Sequence, residues 1–230
     1  MNIFSSIPPK HANGMDYIKM CVATWKKHGI VFSVNHPKEI AILEKDFPDV
    51  KFIPTYQTQQ GLVGKPLVLI DTILAEMRKW HEGESMFINA DCHLTLDVEA
   101  IKNHFQQGRF TYLHRWNYDE GKEPQYYLNG VDAFLFTDIS VLDHIQATHF
   151  CIGQTFFDIW FPYAITMAGM ECCTSRKQIV FHKNHAEQYN HEDWVRFGDY
   201  TALIMGKKMH KPADVSKFIY NFIRSTTVQI

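Results

Sequence analysis

The stretch Met86-Phe87-Ile88-Asn89-Ala90-Asp91-Cys92-His93-Leu94 carries the residues best suited to chemistry: an apolar run that ends in an amide, a carboxylate and an imidazole. A buried strand delivering Asp91 and His93 at its carboxyl end puts two metal-capable side chains where open α/β sheets bind ligands. Read as extended chain, residues 91 and 93 face one point and Cys92 faces away. Oxygen and imidazole donors suit Mn2+ or Mg2+ holding a diphosphate, with positions left open for substrate. A core strand ending in a carboxylate also occurs without a metal, so the neighbouring elements must decide.

Other groups add to this picture. His182-Lys183-Asn184-His185 follows a short apolar run at 179–181. With His191 the pair could hold zinc, or it could be ordinary surface histidine in a chain with 13 of them. A third reading returns one of the two to complete the Asp91 site; it is preferred because both segments follow strands. Asp158 lies among Phe156, Phe157, Trp160 and Phe161. Burial there would raise its pKa toward the range of a general base, unless it caps a helix or bonds Arg115. Ser5, Ser6, Ile7 and Pro8 end the first strand, a seat for a nucleotide's base or ribose. Asn89 at the central strand end and Lys65, at the start of the next helix, would add donor-side contacts. Arg115 and Trp116 follow another strand and either hold an acceptor or pack as an ion pair and a core ring.

The elements that must position these groups are legible. At 230 residues, 46% hydrophobic and 21% charged, the chain suits one sizeable folded domain. Apolar runs at 2–6, 30–34 and 50–53 alternate with helical spacing at 15–28 and from Pro37 onward, the pattern of a parallel sheet covered by helices. A loop at 55–64 precedes a helix expected from Pro66 to Trp80, then the 86–90 strand. Further on come a helix at 96–107, strands at 110–114 and 131–137, and a buried helix at 156–165. A last strand is expected at 179–181, then helix from 194 to 223 interrupted at Pro212. The expected division is 1–205 as the main domain, with 206–230 a helical extension packed on it.

Composition excludes several functions. The net charge of −2 gives no global field for nucleic acid or anionic membrane; Lys207, Lys208, His210 and Lys211 form only a local basic cluster. Five cysteines without CxxC spacing argue against a disulfide framework or structural zinc. No leader pattern opens the chain and no apolar run reaches membrane-spanning length, so a cytoplasmic, reduced protein without a membrane span is expected. The absence of a Gly-rich fingerprint counts against P-loop and dinucleotide-binding enzymes.

Taken together, the order of segments resembles the GT-A class of nucleotide-sugar-dependent glycosyltransferases over about residues 1 to 200. Ile88-Asn89-Ala90-Asp91-Cys92-His93 resembles the Asp-x-Asp metal motif, with His93 where a second Asp is common. Gly153, Asp158, Trp160, His182, His185 and Trp194 resemble a Gly…Trp-Asp-x-Trp…His-x-x-His arrangement, with Phe157 in place of a Trp. The resemblance implies a Rossmann-like GT-A fold, with a mostly parallel sheet and helices on both faces. It implies Asp91 on a metal–diphosphate, His182 or His185 as the C-terminal ligand, and Asp158 as base or acceptor-binding carboxylate.

The resulting expectation is transfer of a sugar from a nucleotide-diphosphate donor, UDP-type, to a hydroxyl acceptor, assisted by Mn2+ or Mg2+. Metal ligands would be Asp91, His93, His182 and His185, and Arg115, Trp116 and Trp160 would face the acceptor. Modified DNA is an acceptor the net charge disfavours. A catalytically silent nucleotide- or glycan-binding module, a nucleotidyltransferase and a zinc hydrolase on His182, His185 and His191 are the rivals.

Overall fold

A computed structural model describes residues 1–95, 110–186, 190–209 and 211–230. The expected helix at 96–107 and His210 of the basic cluster lie outside the described residues.

The first five elements follow the sequence pattern closely. Strand β1 (Asn2–Ser5), helix α1 (Met15–Lys26), β2 (Ile30–Asn35), α2 (Pro37–Leu43) and β3 (Lys51–Pro54) form alternating units, with β1, β2 and β3 parallel. Pro37 occupies the first turn of α2, and His36 caps it by accepting from the Lys38 amide. Helices α3 (Gln60–Val63) and α4 (Ile70–Trp80) lead into β4 (Ser85–Ile88), parallel to β1. Then come β5 (Cys92–Leu94), β6 (Phe110–Tyr118) and β7 (Gln125–Phe136). Helix α5 (Phe157–Met167), β8 (Cys172–Lys183), α6 (His191–Ile204), α7 (Pro212–Thr226) and β9 (Val228–Gln229) complete the described chain.

The strands form one sheet in the order β3-β2-β1-β4-β7-β6-β8-β5, with β9 alongside β8. Five of its eight pairings are parallel. Side chains alternate between faces: Ile3, Met86 and Ile88 join one core with Ile18 and Trp25 of α1. Phe4 and Phe87 join the other, with Met77 of α4, Phe161 of α5 and Ile219 of α7. Helices thus bury both faces, the Rossmann-like GT-A architecture. Helices α6 and α7 press so closely that a Cβ on Gly198 would stand 2.5 Å from Pro212 Cβ.

Three expectations are corrected. Residues 65–69 are not helical: Lys65 lies in a bend, and Val68 bridges to Thr58 and Leu69 to Cys151, so α4 starts at Ile70 and Lys65 sits in a loop rather than at a helix start. The loop at 55–64 contains α3, a single helical turn. The β6–β7 hairpin and β8 are far longer than their apolar runs. Register shifts at Leu113/His114 and His114/Trp116, and the exposed Arg176, Lys177 and Gln178 within β8, break the alternation that marks a strand.

Topology fixes where a ligand can sit. Strands β4 and β6 both run antiparallel to β7, so they run parallel to each other and to β1, β2 and β8. The carboxyl ends of these strands therefore meet at one edge of the sheet.

Candidate functional site

A cleft of about 640 Å³ opens at that edge. Ser6 and Pro8 after β1, Asn35 ending β2, and Glu39 of α2 line one side. Arg115 and Asn117 of β6 with Tyr127 and Asp132 of β7 line the other, and Asn89 and Asp91 after β4 lie between.

Asp91 is the focus. Its Oδ2 lies 3.3 Å from His11 Nε2, 3.2 Å from His182 Nε2 and 3.1 Å from His185 Nε2, and the last two nitrogens are 3.1 Å apart. Burial alone would raise this carboxyl, but hydrogen bonds from the three histidines outweigh it and hold Asp91 well below the usual carboxylate range. Local bonds lock the group. Tyr17 Oη donates to the Asp91 carbonyl at 2.8 Å and accepts from the Lys183 amide at 2.8 Å, tying the turn after β4 to the end of β8. Asn13 Nδ2 donates to the Lys183 carbonyl, which ties in the loop bearing His11.

The donor chemistry fits a divalent cation. Ligand atoms of His11, Asp91 and His185 all lie within 4.8 Å of one another. Neighbouring ligands of a cation bound at about 2.1 Å stand roughly 3.0 to 3.4 Å apart, which matches the separations above. Hydrogen bonds span the same range, so distance alone does not say which imidazoles are ligands.

His93 lies outside this group. Asp91 sits in a turn and β5 begins only at Cys92, so the alternation that would align residues 91 and 93 does not apply. The His93 ring packs against Tyr17, Tyr118 and Phe181 instead. Burial, then the charge of His182, lowers its pKa.

In the same cleft, Asp158 lies in the first turn of α5 and is half-buried on the wall. Burial, reinforced by the charge of Asp132, pushes its carboxyl up to about 7. The residue before the helix, Phe156, holds φ at 74°, a left-handed conformation costing a bulky residue about 1 to 2 kcal/mol. Such strain is often found where a backbone is bent to present a functional group.

Asp132 is a member the sequence reading missed. It is almost fully buried, accepts from Asn89 Nδ2 at 2.5 Å and pairs with Arg115 Nη1 at 3.4 Å. Arg115 also lies over the Tyr127 ring, and a Cβ on Gly130 would stand 3.0 Å from both Arg115 Nε and Asp132 Oδ2. An acid inside Val131-Asp132-Ala133-Phe134-Leu135-Phe136 is itself a signal, since an apolar strand tolerates one only when it is paired. His11 had no comparable signal: nothing near it in sequence links it to residue 91 or 182.

The remaining candidates divide. Ser6, Pro8 and Lys65 line the cleft, whereas Ser5 donates to the Ile88 carbonyl beneath it and Ile7 is buried. Trp116 donates to the Lys177 carbonyl and packs on Tyr126, and Trp160 packs behind the wall on Phe150 and Tyr163. Trp194 is the tryptophan that lines the cleft among the described residues.

No family profile matches the sequence, and no curated protein is significantly similar to it. Solved structures do share its fold. S. aureus TarS residues 1–349 is 13% identical with a TM-score of 0.51, over 95% of this chain and 69% of that one. A longer S. aureus TarS structure is 10% identical with a TM-score of 0.53, over 99% of this chain and 44% of that one. A Desulfovibrio desulfuricans G20 protein provisionally described as a nucleotide-diphospho-sugar transferase is 12% identical with a TM-score of 0.43, over 100% and 97%. At these identities the likeness to TarS shows the fold alone, a GT-A-type α/β domain.

Proposed function

We propose that this chain is a metal-assisted glycosyltransferase that moves a sugar from a nucleoside diphosphate donor, UDP-type, to a hydroxyl acceptor. The observation that carries this reading is the convergence of His11, His182 and His185 on Asp91, at the carboxyl edge of the sheet, in the same cleft as a carboxyl with a pKa near 7. Imidazole nitrogens and one carboxylate fit Mn2+ better than Mg2+, which prefers an oxygen shell and keeps its waters. When bound there, the cation would neutralise charge developing on the leaving diphosphate.

The residues divide the remaining work. Ser6, Pro8, Asn35 and Glu39 would receive the nucleoside, since they end or follow the strands on the open side of Asp91. Asp158 would take the acceptor hydroxyl's proton, a role its raised pKa suits near neutral pH. Arg115 is held by Asp132 and would orient the acceptor wall rather than capture a phosphate. Among the described residues no helix is long and apolar enough to cross a membrane.

A thermal melt against UDP, GDP, CDP and dTDP, each with Mn2+, Mg2+ or EDTA, tests the donor assignment. Ligand at a hundred times its Kd adds about 2.7 kcal/mol of stability. A rise in Tm with UDP and Mn2+ that EDTA abolishes is expected. No rise with any nucleotide would contradict the assignment.

A further inference from the structure

We infer that His11 is not a metal ligand but the hydrogen-bond donor that orients Asp91, leaving Asp91, His182 and His185 to hold the cation. The inference rests on reading the Asp91 cluster as a metal site, and the hydrogen bonds made by the far nitrogens of the rings carry it.

A neutral imidazole has one N–H and one lone pair, and a cation takes only the lone pair. The Asn13 backbone N–H donates to His11 Nδ1 at 3.2 Å, so the lone pair is at Nδ1. The proton is then on Nε2, the atom 3.3 Å from Asp91 Oδ2. Making Nε2 a ligand would move that proton to Nδ1, directly against the Asn13 N–H. His185 is wired the opposite way. Its Nδ1 lies 2.7 Å from the Ala186 carbonyl, which can only accept, so Nδ1 keeps its proton in every case and Nε2, facing Asp91 and His182, is the atom free to turn a lone pair to a cation. Between that nitrogen and the carboxylate oxygen 3.1 Å away either a proton or a cation must stand, and a cation can take the proton's place. At His182 no described residue bonds Nδ1, so the far nitrogen does not fix the tautomer there and Nε2, 3.2 Å from Asp91 Oδ2, can serve as the ligand atom.

One carboxylate oxygen offers two lone-pair directions. The His11 N–H occupies one at Asp91 Oδ2 and the cation takes the other. The His11 ring is fixed for this task, stacked near Tyr17 and edge-on to His185. The resulting set is two imidazoles and one carboxylate with open positions, a set that favours Mn2+, Fe2+, Co2+ or Zn2+ over Mg2+ and leaves room for diphosphate oxygens.

Mn2+ titration calorimetry, together with pulsed EPR that counts the nitrogens coupled to bound Mn2+, tests this on the intact chain. Two directly bound imidazole nitrogens are expected in the wild type. His11→Ala should weaken Mn2+ binding about 10- to 100-fold while the count stays at two. His11→Gln, whose amide N–H can replace the donor, should recover most of that loss. Three nitrogens in the wild type, a count that falls in His11→Ala, or no recovery in His11→Gln would each overturn the inference. If His11→Ala fails to fold, His11→Gln decides, because it removes the imidazole while keeping an amide donor: a count of two in it supports the inference and a count of one overturns it. Three nitrogens would leave the proposed activity standing, whereas failure of the wild type to bind Mn2+ would overturn both.

Discussion

Asp91→Ala is expected to lower kcat/KM by about 10³-fold or more, close to 4 kcal/mol of transition-state stabilisation. Two losses combine. The cation would lose its only anionic ligand among the described residues of the cluster, and the His11 N–H would lose its acceptor. Asp91→Asn separates shape from charge: it keeps an oxygen in place but removes the negative charge, and should lose nearly as much activity. The Mn2+-dependent rise in Tm should disappear in both variants, and the nucleotide-free Tm of Asp91→Ala should itself fall, because the carboxylate accepts from largely buried histidines. Steady-state kinetics with a melt at fixed Mn2+ reads both effects. Near-full turnover by Asp91→Ala would remove the metal from the mechanism.

The second large effect is expected at Asp158. Asp158→Asn should lower kcat by about 10²- to 10⁴-fold, the span of general base catalysis, with donor KM within a few-fold of wild type. Wild-type kcat should rise with pH through about 7, as burial and the neighbouring Asp132 hold the Asp158 proton until then. Arg115 and Tyr220 face the same carboxyl; Arg115 stays charged and burial raises the Tyr220 phenol, so neither titrates in that window.

Stability should move the other way. A carboxyl whose folded pKa lies above its unfolded value binds more proton in the folded state between about pH 4 and 7, so stability falls as pH rises through that window. Asp158→Asn removes this penalty and should be more stable than wild type at pH 8, by about 1 to 3 kcal/mol, but not at pH 4. A variant with unchanged kcat would exclude Asp158 from the reaction. A lower Tm at pH 8 would show instead that the carboxylate is a structural anchor.

How far the sequence revealed this molecule depended on the range of the forces involved. Strands β1 to β4 and helices α1 and α2 were legible because apolar period, Pro37 and Gly29 act within a few residues. The start of α4 was not, since isolated bridges to Thr58 and Cys151 hold Val68 and Leu69 out of the helix. The long hairpin and the first half of β8 were hidden by register shifts and by exposed polar side chains.

The site follows the same rule. Asp91, His182, His185 and Asp158 could be named because they end strands or interrupt apolar runs. His93 was placed by an alternation that the turn at Asp91 cancels, and Trp160 by a motif likeness although it packs behind the wall. His11 reaches Asp91 across 80 positions, through bonds from Asn13 and Tyr17 to the end of β8 that no local pattern announces.

The most direct measurement is 31P NMR of the protein with a panel of nucleotide-sugars and Mn2+, with and without added pyrophosphate. Transfer of the sugar to water or to an acceptor hydroxyl breaks the bond between the sugar and the diphosphate. The account therefore predicts that a nucleoside diphosphate accumulates from one donor, and that EDTA or Asp91→Ala stops it. Appearance of a nucleoside triphosphate and a sugar phosphate only when pyrophosphate is present would contradict it, because that outcome is nucleotidyl transfer.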